Sequence, residues 1–131
     1  MKVVVAGTFD ILHPGHLYLF DAAAALGDLY VIIARDNNIP QTKKKVFTET
    51  ERLNIIKRLD MVKTALLGDK TDFFEPIEAI QPDIIFLGPD QDESWVRSEI
   101  KKRNLSIVVK RLPERLPYSS TEIKKRICDP D

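Results

Sequence analysis

Five short apolar runs, each separated from the next by a segment with helical spacing or turn residues, constrain this chain more than any other feature. After Lys2, the run Val3-Val4-Val5-Ala6 shows no polar alternation, as expected of a strand buried on both faces. Leu29 to Arg35, Ala65 to Leu67, Asp83 to Leu87 and Ser106 to Lys110 supply four more strands. A helix is predicted from about Gly15 to Leu26, with Gly27 as its C-cap. Thr48-Glu49-Thr50-Glu51 has the form of a capping box and launches a second helix through about Leu59. Pro76 to Ile80 and Ser94 to about Arg103 are helical, and Ser119-Ser120-Thr121-Glu122 opens a final helix. Asp36 to Phe47 is polar and reads as a mobile loop. Strands alternating with helices require right-handed crossovers, and hence a parallel sheet covered on both faces. The predicted fold is therefore α/β: a Rossmann-like, doubly wound, five-stranded parallel sheet in the order 3-2-1-4-5, forming one domain over residues 1–131. Its topological switch falls between strands 1 and 4, where ligands bind beyond the carboxyl ends. Residues 7–16 and 88–93 are the connections to watch.

At 131 residues with 44% hydrophobic content the chain is the size of one compact domain and can bury a core. It has no run of the ~18–20 apolar residues that a membrane span needs, and a strand starting at Lys2 leaves no room for a signal peptide. The single cysteine, Cys128, forms no internal disulfide, and at a terminus it reads as inert. The expected location is the cytoplasm. Lys+Arg and Asp+Glu both number 20, which argues against a general polyanion or nucleic-acid binder. The balance hides an asymmetry. Residues 1–96 hold ten basic and fifteen acidic side chains, whereas residues 97–127 hold ten basic and three acidic. A basic quarter of this kind is a candidate anion site, against the plainer reading of a solvated helix end.

The chemistry concentrates in Gly7-Thr8-Phe9-Asp10-Ile11-Leu12-His13-Pro14-Gly15-His16, the predicted link from strand 1 to helix 1. Amides at a helix N-terminus are unsatisfied and, with the helix dipole, bind phosphate. A histidine placed there can donate to a phosphate oxygen. One such histidine is more often a cap or a packing residue; both histidines of the chain falling three apart at the switch point favour function.

This segment resembles the signature of the nucleotidyltransferase superfamily marked by a His-x-Gly-His element, and matches its G-T-F-D-x-x-H-x-G-H form at every position. A second superfamily element, a Ser/Thr-rich start to a C-terminal helix, is matched by Tyr118-Ser119-Ser120-Thr121. The resemblance implies an enzyme that joins a nucleoside triphosphate to a phosphate-bearing acceptor and releases pyrophosphate. It implies that His13 and His16 contact the triphosphate, with Lys43 from a basic loop as a further catalytic group. Thr8, Phe9, Pro14, Gly15, Asp90, Tyr118, Ser119, Ser120 and Thr121 would bind nucleotide. Asp10, Lys44, and Arg111 or Arg115 would meet phosphate or acceptor. A divalent cation such as Mg2+ would arrive with the nucleotide, since no dedicated metal cage is visible. The same resemblance suggests a homodimer, while the charge balance and the lack of a long apolar run argue against a nucleic-acid or membrane partner.

Several acceptors fit the superfamily. The stretches Val31 to Asp36, Ala65 to Gly68 and Pro82 to Gln91 are similar to the archaeal-type FAD synthetases, which transfer AMP from ATP to FMN. A glycerol-3-phosphate-type cytidylyltransferase using CTP is the alternative. Its R-Y-V-D-E-V-I stretch corresponds here to Asp60-Met61-Val62-Lys63-Thr64-Ala65-Leu66, which lacks the arginine and the acidic residue. A sugar-phosphate (heptose) adenylyltransferase and a non-catalytic ligand-binding module complete the set. Phosphopantetheine adenylyltransferases carry Thr where His13 stands. Trp95, at the start of a helix, reads as packing at an interface or over the sheet edge.

Overall fold

The computed structural model describes residues 1–39, 45–89 and 91–112. Within them, ten elements follow in chain order: β1 (Lys2–Gly7), α1 (Pro14–Ala24), β2 (Asp28–Ile33), a 3-10 turn (Asp36–Asn38), α2 (Glu49–Lys57), β3 (Thr64–Leu67), α3 (Glu75–Ile80), β4 (Ile84–Leu87), α4 (Glu93–Lys102) and β5 (Val108–Arg111). The strands form one parallel sheet in the order β3-β2-β1-β4-β5, as the alternation of elements predicts. The final helix expected from Ser119 lies outside the described residues.

Period-two alternation sorts the strand side chains between two cores. Val3 and Val5 of β1, with Val31 and Ile33 of β2, face Leu19, Phe20 and Ala23 of α1 and Ile56 of α2. Val4, Ile32, Ile85 and Leu87 face the other way, onto Phe74, Ile77 of α3 and Val96 of α4. Because both faces are covered, Val3, Val4 and Val5 are all fully buried, each stabilising the fold by roughly 1.5–3 kcal/mol. This explains the absence of polar alternation in β1.

Helix ends follow their caps. Thr48 and Glu51 complete the predicted capping box at α2. Helix α4 starts one residue earlier than expected, because the Asp92 carboxylate accepts from the Trp95 backbone N–H. Helix α1 stops at Ala24, before the predicted end, and Gly27 is no left-handed cap, since no described glycine has positive φ. Gly27 is required for another reason. A Cβ there would lie 2.3 Å from the Met1 carbonyl oxygen, the same oxygen that accepts from the Asp28 N–H at the start of β2.

Candidate active site

The β1-to-α1 connection leaves the sheet beside the β4 end, as the strand order requires. Its sharpest point is Phe9, a non-glycine residue at φ 52°, a conformation that costs of order 1–3 kcal/mol and is found where surrounding contacts hold it. Those contacts are visible. The Phe9 ring meets Phe20 edge-on at 5.1 Å and His16 at 5.3 Å between centroids. A Cβ on Gly7 would come within 2.8 Å of the Phe9 ring, so glycine there makes room for it. The Phe9 ring, expected with its backbone to contact nucleotide, is buried and supports His16.

His13 is the N-cap of α1, and its Nδ1 accepts from the Gly15 backbone N–H at 3.1 Å. Accepting at Nδ1 fixes the neutral tautomer, with the proton on Nε2. Burial also lowers the His13 pKa. The His16 ring stacks on that of His13, with centroids 3.8 Å apart and planes 23° apart. Burial and then the charge of His13 lower the His16 pKa to about 4, against a weak opposing contribution from the Ile11 backbone. His16 Nδ1 is buried and, among the described residues, has no well-formed hydrogen bond. At neutral pH the pair is uncharged. Pro14 sits in the first helical turn, where its missing N–H is no loss. Half-buried Gly15 and His16 follow it.

Three anchors hold this loop. The buried Asp10 carboxylate accepts from the Val46 and Phe47 backbone N–H groups at 2.7 and 2.8 Å. It thereby tethers the far end of the 36–47 segment to the motif. Arg52, fully buried on α2, donates through Nη1 to the carbonyls of Thr8 (2.7 Å) and Ala34 (2.8 Å), through Nε to Phe47, and through Nη2 to Asp36 at 2.7 Å. For Asp36, burial favours the neutral acid, but the Arg52 bond, the Glu49 N–H and nearby Lys45 outweigh it and lower the pKa. Sequence reasoning missed Arg52. It lies four residues before the buried Ile56, so helical spacing places it on the core face.

The third anchor crosses the switch point. Gln91 donates from Nε2 to the Ala6 carbonyl at 2.7 Å, and its Oε1 accepts from the Gly88 N–H at 2.8 Å. Arg111, expected as a possible phosphate clamp, is turned to this loop. It donates to the carbonyls of Gly88, Pro89 and Gln91 and to the Glu93 carboxylate. Four of the five guanidinium N–H groups are thereby used. Lys45, beside the expected basic pair, lies 3.9 Å from Asp36. Lys43, Lys44, Asp90, Arg115, Tyr118, Ser119, Ser120, Thr121 and Cys128 lie outside the described residues. Trp95 is half-exposed and meets Phe74 edge-on.

The arrangement suits anion recognition through side chains, with a neutral histidine protonated at Nε2 and a second ring fixed against it; the first-turn amides of α1 are taken, Gly15 by His13 Nδ1 and His16 and Leu17 by the His13 carbonyl. Residues 4–126 match the cytidylyltransferase-like family. An FAD synthase of Methanothrix thermoacetophila is 47% identical over 96% of this chain and 92% of its own length. An FAD synthase of Archaeoglobus profundus is 44% identical over 98% of this chain and 87% of its own. Among solved structures, a lipopolysaccharide core biosynthesis protein of Thermoplasma volcanium superposes with a TM-score of 0.81 at 35% identity, covering 88% of this chain and 98% of that one.

Proposed function

This chain belongs to the cytidylyltransferase-like family, and on that footing we propose that it transfers the AMP part of ATP to FMN, giving FAD and pyrophosphate. The observation that carries the chemistry is the stacked, uncharged His13–His16 pair at the start of α1. The similarity to FAD synthases over nearly the whole chain carries the choice of substrates.

The phosphate monoester of FMN is anionic near neutral pH and needs no general base to attack. Its oxygen forms a bond to the α-phosphorus of ATP as the bond to the bridging oxygen of pyrophosphate breaks. Catalysis then rests on in-line alignment and on stabilising charge at the α-phosphate and leaving group. His13, with its Nδ1 held by Gly15, presents Nε2–H as a donor to a phosphate oxygen. His16 lies against it, and Phe9 fixes the His16 ring from the edge. Pro14 and Gly15 shape the helix start. Lys43, Lys44, Asp90, Arg115 and the Tyr118 to Thr121 segment complete the proposal as nucleotide and phosphate contacts.

No group of three or more His, Cys, Asp or Glu able to hold a metal occurs among the described residues. Mg2+ needs none when it keeps its waters and binds substrate phosphate oxygens, so we assign it as an ion carried in by the nucleotide. No described helix is long and apolar enough to cross a membrane. A homodimer without nucleic-acid partners remains part of the proposal, checked by light scattering.

The deciding experiment incubates the protein with Mg2+ and either ATP plus FMN or CTP plus glycerol 3-phosphate, following pyrophosphate and the organic product. FAD forms only with the first pair; no product from FMN overturns the reading. A heptose phosphate with ATP serves as a third arm, because the Thermoplasma volcanium relative is described as a lipopolysaccharide core protein. His16→Ala, with the fold retained, lowers turnover at least a hundredfold, and a near-wild-type rate overturns the catalytic assignment.

A further inference from the structure

The two strands that flank the switch point do not run together to their ends. The β1–β2 ladder pairs all six residues of β1, from Lys2↔Asp28 to Gly7↔Ile33. The β1–β4 ladder pairs only Val3↔Ile84 and Val4↔Ile85. Beyond that point β1 and β4 part, leaving Ala6 and Gly88 without the ladder partners that continued pairing would supply. The Gln91 side chain takes both places, accepting from the Gly88 N–H and donating to the Ala6 carbonyl. The chemistry fixes the orientation of the amide, because a carbonyl only accepts and a backbone N–H only donates.

These two bonds differ in what they hold. The Gly88 bond closes a turn within residues 88–91, which also has the Gln91 N–H to Gly88 carbonyl contact at 3.3 Å. The Ala6 bond spans 85 residues of sequence and joins the β4 loop to the strand that feeds directly into the histidine loop. On its outer side the same turn is gripped by Arg111, which is itself paired with Glu93 at 3.4 Å. These bonds hold the turn together, and Gln91 alone, among the described contacts of its side chain and that of Arg111, ties it to β1.

We propose that Gln91 is a positioning residue for the reaction: its bridge to Ala6 sets the spacing between the histidine loop and the loop after β4, and so the alignment of a nucleotide lying across both. This rests on the transferase reading above. A displacement of about 1 Å between groups that act together can cost on the order of a hundredfold in rate, so one amide spanning the crevice is enough to matter.

The test compares Gln91→Met, which keeps the side-chain length and loses both bonds, with Gln91→Glu, which keeps an acceptor for Gly88 but faces the Ala6 carbonyl with an oxygen. Steady-state formation of FAD from Mg-ATP and FMN is measured alongside thermal unfolding. Both variants lose at least tenfold in kcat, with KM for FMN within threefold and Tm within about 5 °C of the parent. A loss below tenfold in either variant overturns the proposal, and a near-normal Gln91→Glu shows that the turn's own bond is what matters. A loss carried by KM for FMN, or a larger fall in Tm, assigns Gln91 to structure alone and also overturns it. If the parent protein makes no FAD, the substrate reading fails separately. Calorimetric binding of Mg-ATP then decides the positioning role: at least fivefold weaker in both variants supports it, and unchanged affinity removes it.

Discussion

His16 shows how a single side chain links the site to the stability of the fold. In the folded chain it gains a proton only near pH 4, because burial and the adjoining His13 disfavour the cation. In an unfolded chain its pKa is about 6.5. Between these values the unfolded state binds more protons, so stability is lost as pH falls from about 6.5 towards 4 and is unaffected by this group above 6.5. The loss is on the order of 2–3 kcal/mol by pH 4. Urea unfolding at pH 7 and pH 4.5 should show a drop that shrinks by at least about 1 kcal/mol in His16→Phe; an equal drop in both proteins removes the assignment. Arg52 is the second decisive residue. Its guanidinium is fully buried and bonded to Thr8, Ala34, Phe47 and Asp36. Arg52→Ala leaves the Thr8, Ala34 and Phe47 carbonyls without this donor, while Asp36 keeps the Glu49 N–H and Lys45, and is expected to cost about 1–3 kcal/mol in urea unfolding. Arg52→Lys recovers only part, since an ammonium cannot reproduce the fork. Full recovery by lysine would show that charge, and not geometry, is what the site needs.

At the scale of elements, the joins carry the information. Residues 10, 36, 47 and 52 tie the end of β2, the start of α2 and the histidine loop into one knot. The far end of the 36–47 segment is thus anchored to the motif itself through Asp10. The start of β2 depends on a closer approach. Since a Cβ at position 27 would meet the Met1 carbonyl at 2.3 Å, Gly27→Ala must push apart the entry strands β1 and β2. The expected cost is about 1–3 kcal/mol, read as a lower Tm with FAD formation at 25 °C retained. An unchanged Tm would mean that the backbone yields there without strain. Gly27 was legible as important from its place after a helical run, but the mechanism was not. A C-cap is a local feature, whereas contact with residue 1 is tertiary.

For the whole molecule, the charge asymmetry resolves differently from its first appearance. Arg103 bonds Asp72 and Glu78 as well as Glu99, Arg97 and Arg111 pair with Glu93, and Lys102 lies 3.7 Å from Glu99. Within residues 97–112, these four cations are matched to carboxylates, three of which (Asp72, Glu78 and Glu93) belong to the acidic N-terminal portion. Their charge is thus met within the fold, whereas Lys101 and Lys110 have no such pair among the described residues, and Arg115 and the residues beyond it lie outside the described region. The strand order, the two covered faces of the sheet and the place of the histidine motif were all readable from residue order, because burial periodicity and crossover handedness are local rules repeated along a chain. The partners of Asp10, Arg52, Gln91 and Arg111 were not readable in this way. Each bonds across 13 or more residues of sequence. A polar side chain with several donors or acceptors is satisfied by whichever groups the completed fold brings near, and only three-dimensional packing decides which those are.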